Sequence, residues 1–244
     1  MKINNLKLII SAILISAAFL SLSSCSTSQI GSQVATTNNN LESVRISTSI
    51  TQQVSIGNSQ PIKTTSDYEK YYNYKNNEYS INMTADNNTG TIKKANNVLY
   101  YSISGLTGKR NITQSEKKNI TKDINLKAAE IIANSTNIPN SQSQYTINKK
   151  YTGEEAYTLL KGLLKPLIDQ TFSSNNITSE EFSKYLKELD AKITIDLNTK
   201  YITSVDLTET LTSDDNGTQT SIINTINSEY SDQNSFKQIT IPQN

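Results

Sequence analysis

"KITIDLNTKYITSVDLTETL" (residues 192–211) holds two alternating apolar runs around a short polar break. Ile193, Ile195 and Leu197 recur at every second position, and Tyr201, Val205, Leu207 and Leu211 keep the same parity after the break. A period of two puts such residues on one side of a strand. Asn198–Lys200 supplies the tight turn, so the stretch predicts a β-hairpin with one half-buried face.

Working outward, "SDDNGT" (213–218) reads as a second turn, leading into a strand carrying Ile222, Ile226 and Tyr230, and "FKQITI" closes the pattern. Asp214 and Asp215 lack the ligand spacing of a calcium loop, and Asp-Asn-Gly is a turn signal in its own right, so no metal or other cofactor is expected. Towards the N-terminus, "SVRISTSITQQVSI" (43–56) alternates through Val44, Ile46, Thr48, Ile50 and Gln52, and "EYSINMTA" (78–85) through Tyr79, Ile81, Met83 and Ala85. The turn "DNNTG" (86–90) and a strand in "NVLYYSISG" (97–105) complete an antiparallel meander.

The middle of the chain changes period. Thr113 with Glu116, Thr152 with Glu155 and Thr178 with Glu181 each fit a capping box, in which two side chains satisfy free amides at a helix start. Behind them lie Ile120, Ile124, Ala128, Ile131 and Ile132; then Ala156, Leu159, Leu160, Leu163, Leu164, Leu167 and Ile168; then Phe182, Tyr185, Leu186 and Leu189. These spacings give apolar helical stripes. The fold class expected is therefore α+β, with strands before and after two or three helices. The acid pairs Glu154/Glu155 and Glu180/Glu181 complement helix dipoles rather than form a catalytic couple.

The first 24 residues carry Lys2 and Lys7 ahead of an uncharged run, Leu8 to Leu22, of signal-peptide length and too short to span a bilayer. Leu22-Ser23-Ser24-Cys25 resembles the bacterial lipobox, which implies that the Cys25 thiol takes a diacylglyceryl group and becomes the first residue of the mature chain. Cys25 is the single cysteine, so it has no internal disulfide partner. The expected organisation is a signal peptide over 1–24, the lipidated cysteine and a flexible polar tether over 25–40, and a single domain over 41–244. The protein would sit lipid-anchored on the extracellular face of the cell membrane, its chains of the palmitate kind. An Asn-, Ile-, Lys- and Tyr-rich composition points to an AT-rich genome, as in a low-GC Gram-positive bacterium.

Composition also narrows function. There are 23 basic and 22 acidic residues, and loss of residues 1–24 removes two lysines and no acid, leaving a formal charge of −1. A nucleic-acid partner, which demands a basic face, is not expected. Histidine is absent, so Ser-His-Asp and Cys-His machinery are excluded, and no glycine-rich phosphate cradle is present. With no tryptophan to grip sugars, a binding protein is expected rather than an enzyme.

"ITSEEFSKYLKELDAKITIDLNTKYITSVDLTETL" (177–211), a helix followed by a strand, a short turn and a second strand, resembles the extracytoplasmic lipoproteins of the LppX and LprG type, related in fold to the carriers LolA and LolB, and their Gram-positive cousins. The resemblance implies a curved antiparallel sheet, an incomplete barrel wrapped around helices, with an apolar cavity for acyl chains. Leu160, Leu163, Leu164 and Leu167 would then line a ligand groove, although the same leucines suit ordinary core packing. Two features depart from the pattern: an apolar helix is hardly visible in 28–42, and 58–78 reads as a polar, tyrosine-rich insertion. That insertion suggests the other functional reading, a surface interaction module contacting a protein partner through Tyr68, Tyr71, Tyr72 and Tyr74.

Overall fold

A computed structural model of the chain describes residues 29–85, 88–113, 143–152, 184–215, 217–235 and 238–242. They form one helix, α1 (Gln29–Asn39), and ten strands: β1 (Ser43–Ile56), β2 (Ile62–Asn73), β3 (Glu78–Ala85), β4 (Asn88–Ala95), β5 (Val98–Ile103), β6 (Leu106–Asn111), β7 (Gln144–Thr152), β8 (Leu186–Asp196), β9 (Ile202–Asp215) and β10 (Thr218–Ser231). All belong to one curved antiparallel sheet in the order β6-β5-β4-β3-β2-β1-β10-β9-β8-β7. Two meanders thus meet at a central seam, where β1 pairs with β10 in the register Ile50↔Ile226.

Among the described residues the expected α+β class gives way to a nearly all-β architecture. The stripes read over 120–132 and 153–171 lie outside the described residues, as does the third up to residue 183, and Leu186 and Leu189 of that third stripe belong to β8. Leu186 and Leu189 satisfy a helical spacing with Phe182 and Tyr185, but Leu189 also opens the alternation Leu189, Ala191, Ile193, Ile195. The strand wins there because that alternation fits the neighbouring β9, all four of its residues being 3% exposed or less.

The one helix described lies where a solvated tether was expected. Its inward stripe is Gly31, Val34 and Asn38, followed by Leu41, all buried, and only Val34 and Leu41 look apolar. Asn38 fastens α1 to the β8–β9 hairpin: its Nδ2 donates to the Val34 carbonyl at 2.8 Å and to the Lys200 carbonyl at 3.1 Å, while its Oδ1 accepts from the Ile202 amide at 3.5 Å. Residues 62–73, read as part of an insertion, are a regular strand in register with β1 from Val54↔Ile62 to Ser43↔Asn73.

The 192–211 hairpin forms as its sequence predicts. Asp196 Oδ1 accepts from the amides of Asn198 (2.7 Å) and Thr199 (3.0 Å), and Lys200 takes the left-handed conformation that closes the turn. Asparagine does similar work elsewhere: Asn96 and Asn97 both have positive φ, the geometry of a two-residue turn that matches strand twist, and they join β4 to β5.

Residues opposed across antiparallel strands share a face. One row crosses the whole sheet: Leu106, Ile103, Gly90, Met83, Tyr68, Thr48, Ser228, Val205, Ile193, Ile147. This is the apolar face. The opposite face is polar, with Arg45 bound to Glu69 at 2.7 Å and Lys192 to Asp206 at 3.6 Å. The buried core gathers under half of the apolar face, drawing on α1, β1 and β7–β10, with Tyr72 of β2 at its margin. Each fully buried Leu or Ile there, such as Leu189 and Ile195, contributes about 1.5–3 kcal/mol.

Candidate functional site

The apolar face does not stop where the core stops. Across β2–β6 it continues in two adjacent rows, Lys70, Ile81, Ile92, Tyr101, Gly108 and Tyr68, Met83, Gly90, Ile103, Leu106. Ile81, Met83 and Ile92 are only half-buried, and Tyr101, Ile103 and Leu106 are exposed, the last at 74%. Tyr101 and Ile103 stand on β5 and Leu106 opposes Ile103 on β6, so these side chains form one patch at the sheet edge. Such a patch makes the sheet edge the candidate site. Gly108 keeps the patch flat: a Cβ there would collide with the ring of Tyr101, which covers the glycine.

Charge on this wing is one-sided. Its apolar face holds Lys70, Lys94 and Arg110, whereas Asp67 and Glu69 of β2 point to the other side by alternation. Lys70 stands at the boundary between core and wing, beside buried Ile46 and half-buried Ile81. It is only 7% exposed, and its Nζ lies 5.3 Å from the centroid of the Tyr68 ring. Burial pulls its ammonium down to about 8.

The central strands carry a buried polar strip on the same face. Gln52 Nε2 donates to Asn224 Oδ1 at 3.0 Å, and Asn224 Nδ2 donates to Glu209 Oε2 at 3.4 Å. Burial pushes the Glu209 carboxyl up to about 7, with the Asn224 bond pulling weakly the other way. Thr48 and Ser228 hydroxyls meet at 3.2 Å two rows further on, beyond the Ile50–Ile226 pair.

On the polar face, the C-terminal segment lies against β2–β4. Lys93 Nζ donates to the Thr240 carbonyl at 3.3 Å, the Tyr71 hydroxyl donates to the Ser235 carbonyl, and Ile239 is buried. A cavity of about 540 Å³ remains between them, lined by Arg45, Glu69, Tyr71, Lys93 and Asp232 among others. Among the described residues, no group of acids or cysteine is placed to hold a metal ion.

A family model described as a family of unknown function, DUF6612, matches residues 26–244. The chain belongs to the DUF6612 family. Among solved structures, this DUF6612 chain matches a LolA superfamily protein from Nitrosomonas europaea at 8% identity over 89% of this chain and 96% of that one, with a TM-score of 0.27. It also matches a DUF1329 family protein from Desulfovibrio piger at 7% identity over 85% and 92% of the two chains, with a TM-score of 0.24. No curated protein matches it.

Several residues singled out in the DUF6612 sequence fall outside the described residues: Cys25, and the groove candidates Leu160, Leu163, Leu164 and Leu167. The tyrosines of β2 do not share a surface. Tyr68 and Tyr72 lie on the apolar face, where Tyr72 is buried and stacks on Tyr74 with ring centroids 5.8 Å apart, while Tyr71 lies on the polar face against the C-terminal segment. Missed from the sequence were Lys70 and the exposed residues of β5–β6. Their signal was present in alternation: Tyr68, Lys70 and Tyr72 keep one parity through β2, and a lysine in that row interrupts an apolar reading.

Proposed function

We propose that this protein is an extracytoplasmic lipoprotein, fixed to the outer face of the cell membrane through Cys25, that binds a lipid or other apolar ligand on the β2–β6 wing of its sheet. The observation that carries this reading is the apolar face itself: beyond the packed core and the polar central strip it resumes in Ile81, Met83 and Ile92 and ends in exposed Tyr101, Ile103 and Leu106. The lipobox at 22–25 and the resemblance of 177–211 to the LppX and LprG lipoproteins support the same reading. The chain has no histidine and its single cysteine is assigned to the anchor, so a binding role is favoured over catalysis.

Labelling of expressing cells with radioactive palmitate tests the anchor. Label should enter the full chain and leave it with Cys25→Ser; label persisting in that variant removes the anchor. Native mass spectrometry of the full chain bearing Cys25→Ser tests the ligand. A stoichiometric co-purifying lipid is expected, whereas a clean apo mass that long-chain lipids do not change would sink the binding reading.

A further inference from the structure

Resting on that reading, the geometry points to a long-chain fatty acid as the occupant of the wing, its carboxylate on Lys70 Nζ and its chain running across β3–β6 towards Leu106. Three observations converge. First, Lys70 is a buried cation that makes no ion pair and no side-chain hydrogen bond among the described residues; the group its ammonium faces is the Tyr68 ring. A buried ammonium without an anion is costly, and a carboxylate is the group that relieves the cost most directly.

Second, the residues aligned with Lys70 on the apolar face of β2–β6 include no acid to repel an anion, so an anionic headgroup is favoured over a cationic one. Third, the path fits one chain. From Lys70 on β2, the row passes Ile81, Ile92 and Tyr101 to β6, four strand spacings or about 19 Å, the reach of one extended long acyl chain. The 7% exposure of Lys70 favours a two-oxygen carboxylate over a glycerophosphate headgroup, which separates a fatty acid from a diacyl phospholipid.

The test uses the full chain bearing Cys25→Ser at pH 7, with displacement of the neutral dye Nile red as readout. Competitors are palmitate, hexadecanol and vesicles of phosphatidylglycerol. Palmitate should displace the dye at concentrations at least about tenfold below those of hexadecanol, the worth of one charge-assisted contact. Lys70→Met should abolish that preference while hexadecanol still binds; Lys63→Met, at an exposed position of the same strand, should keep it. Equal displacement by acid and alcohol, or a preference that survives Lys70→Met, overturns the headgroup assignment and leaves the apolar site standing. Stronger displacement by phosphatidylglycerol overturns the fatty acid in favour of a diacyl lipid. If neither the dye nor any lipid binds, the inference falls with the reading beneath it. Should Lys70→Met fail to fold by circular dichroism, the acid-against-alcohol comparison on the chain with native Lys70 decides alone.

Discussion

Asn224 and Glu209 face each other across β9 and β10, the amide Nδ2 3.4 Å from the carboxyl Oε2, with Asn224 wholly buried and Glu209 2% exposed. A neutral carboxyl suits this site better than a carboxylate, and burial raises the group to about 7. In the unfolded chain it ionises near 4.5. Between those values the folded state holds a proton that the unfolded state has lost, so stability falls as pH rises from about 4.5 to 7 and is flat in this contribution above. Glu209→Gln keeps the acceptor for Asn224 and removes the charge. It should flatten that decline and stabilise the protein by on the order of 2 kcal/mol at pH 8, read by urea unfolding at a series of pH values.

Lys70 behaves in the opposite sense. Its folded value of about 8 lies below the ordinary 10.5, so its burial cost is present in full below 8 and is relieved as pH climbs towards 10.5. Lys70→Met should therefore raise the unfolding midpoint at pH 7, by an amount equivalent to roughly 1–3 kcal/mol, with the gain shrinking above pH 8. An unchanged or lower midpoint at pH 7 would mean that the ammonium is not strained. With Glu209 charged above 7 and Lys70 charged below 8, the combined contribution of these two groups is least favourable between those values.

Asn38 should matter more than its neighbours in α1. Asn38→Ala removes two donated bonds and one accepted bond at a buried site, leaving the Ile202 amide and Lys200 carbonyl without their partner. The expected loss is about 1–3 kcal/mol in denaturant unfolding, whereas Gln33→Ala on the exposed side should stay within about 0.5 kcal/mol.

The exposed wing predicts a separation of binding from stability. Leu106→Asp and Ile103→Asp alter side chains that are 74% and 40% exposed, so the unfolding midpoint should move little. Nile red binding should weaken severalfold for each. Full binding by the double variant would place the apolar site elsewhere.

Much of this sheet was legible where one face alone is apolar. β1 and β3 coincide with the alternating stretches 43–56 and 78–85, and the 192–211 hairpin has the turn its asparagine and lysine suggest. β2, β4 and β6 escaped because their inward positions include Lys70, Lys94, Gly90, Gly108 and Arg110, which count as polar or as breakers in a hydropathy pattern although they share the apolar face. α1 escaped for a related reason: an inward stripe of glycine, valine and asparagine has too little apolar surface to announce a helix, and its hold comes from Asn38 hydrogen bonds to residues about 160 positions away. The candidate site was the least legible part, since it consists of the residues that break the pattern.

The seam between β1 and β10 bears on how the chain folds. Every other pairing among the described strands joins consecutive ones, all but β7–β8 through short connections, while Arg45 must find Ser231 across most of the chain. That single long-range closure dominates the entropic cost of assembly and delays it until the last strand has been synthesised. Since Asn234 already meets the Glu42 amide at 2.7 Å, a circular permutant linked from residue 242 to 29 and opened between β6 and β7 would read as one uninterrupted meander. It should refold faster than the natural order, whose last pairing has to wait for both ends of the chain.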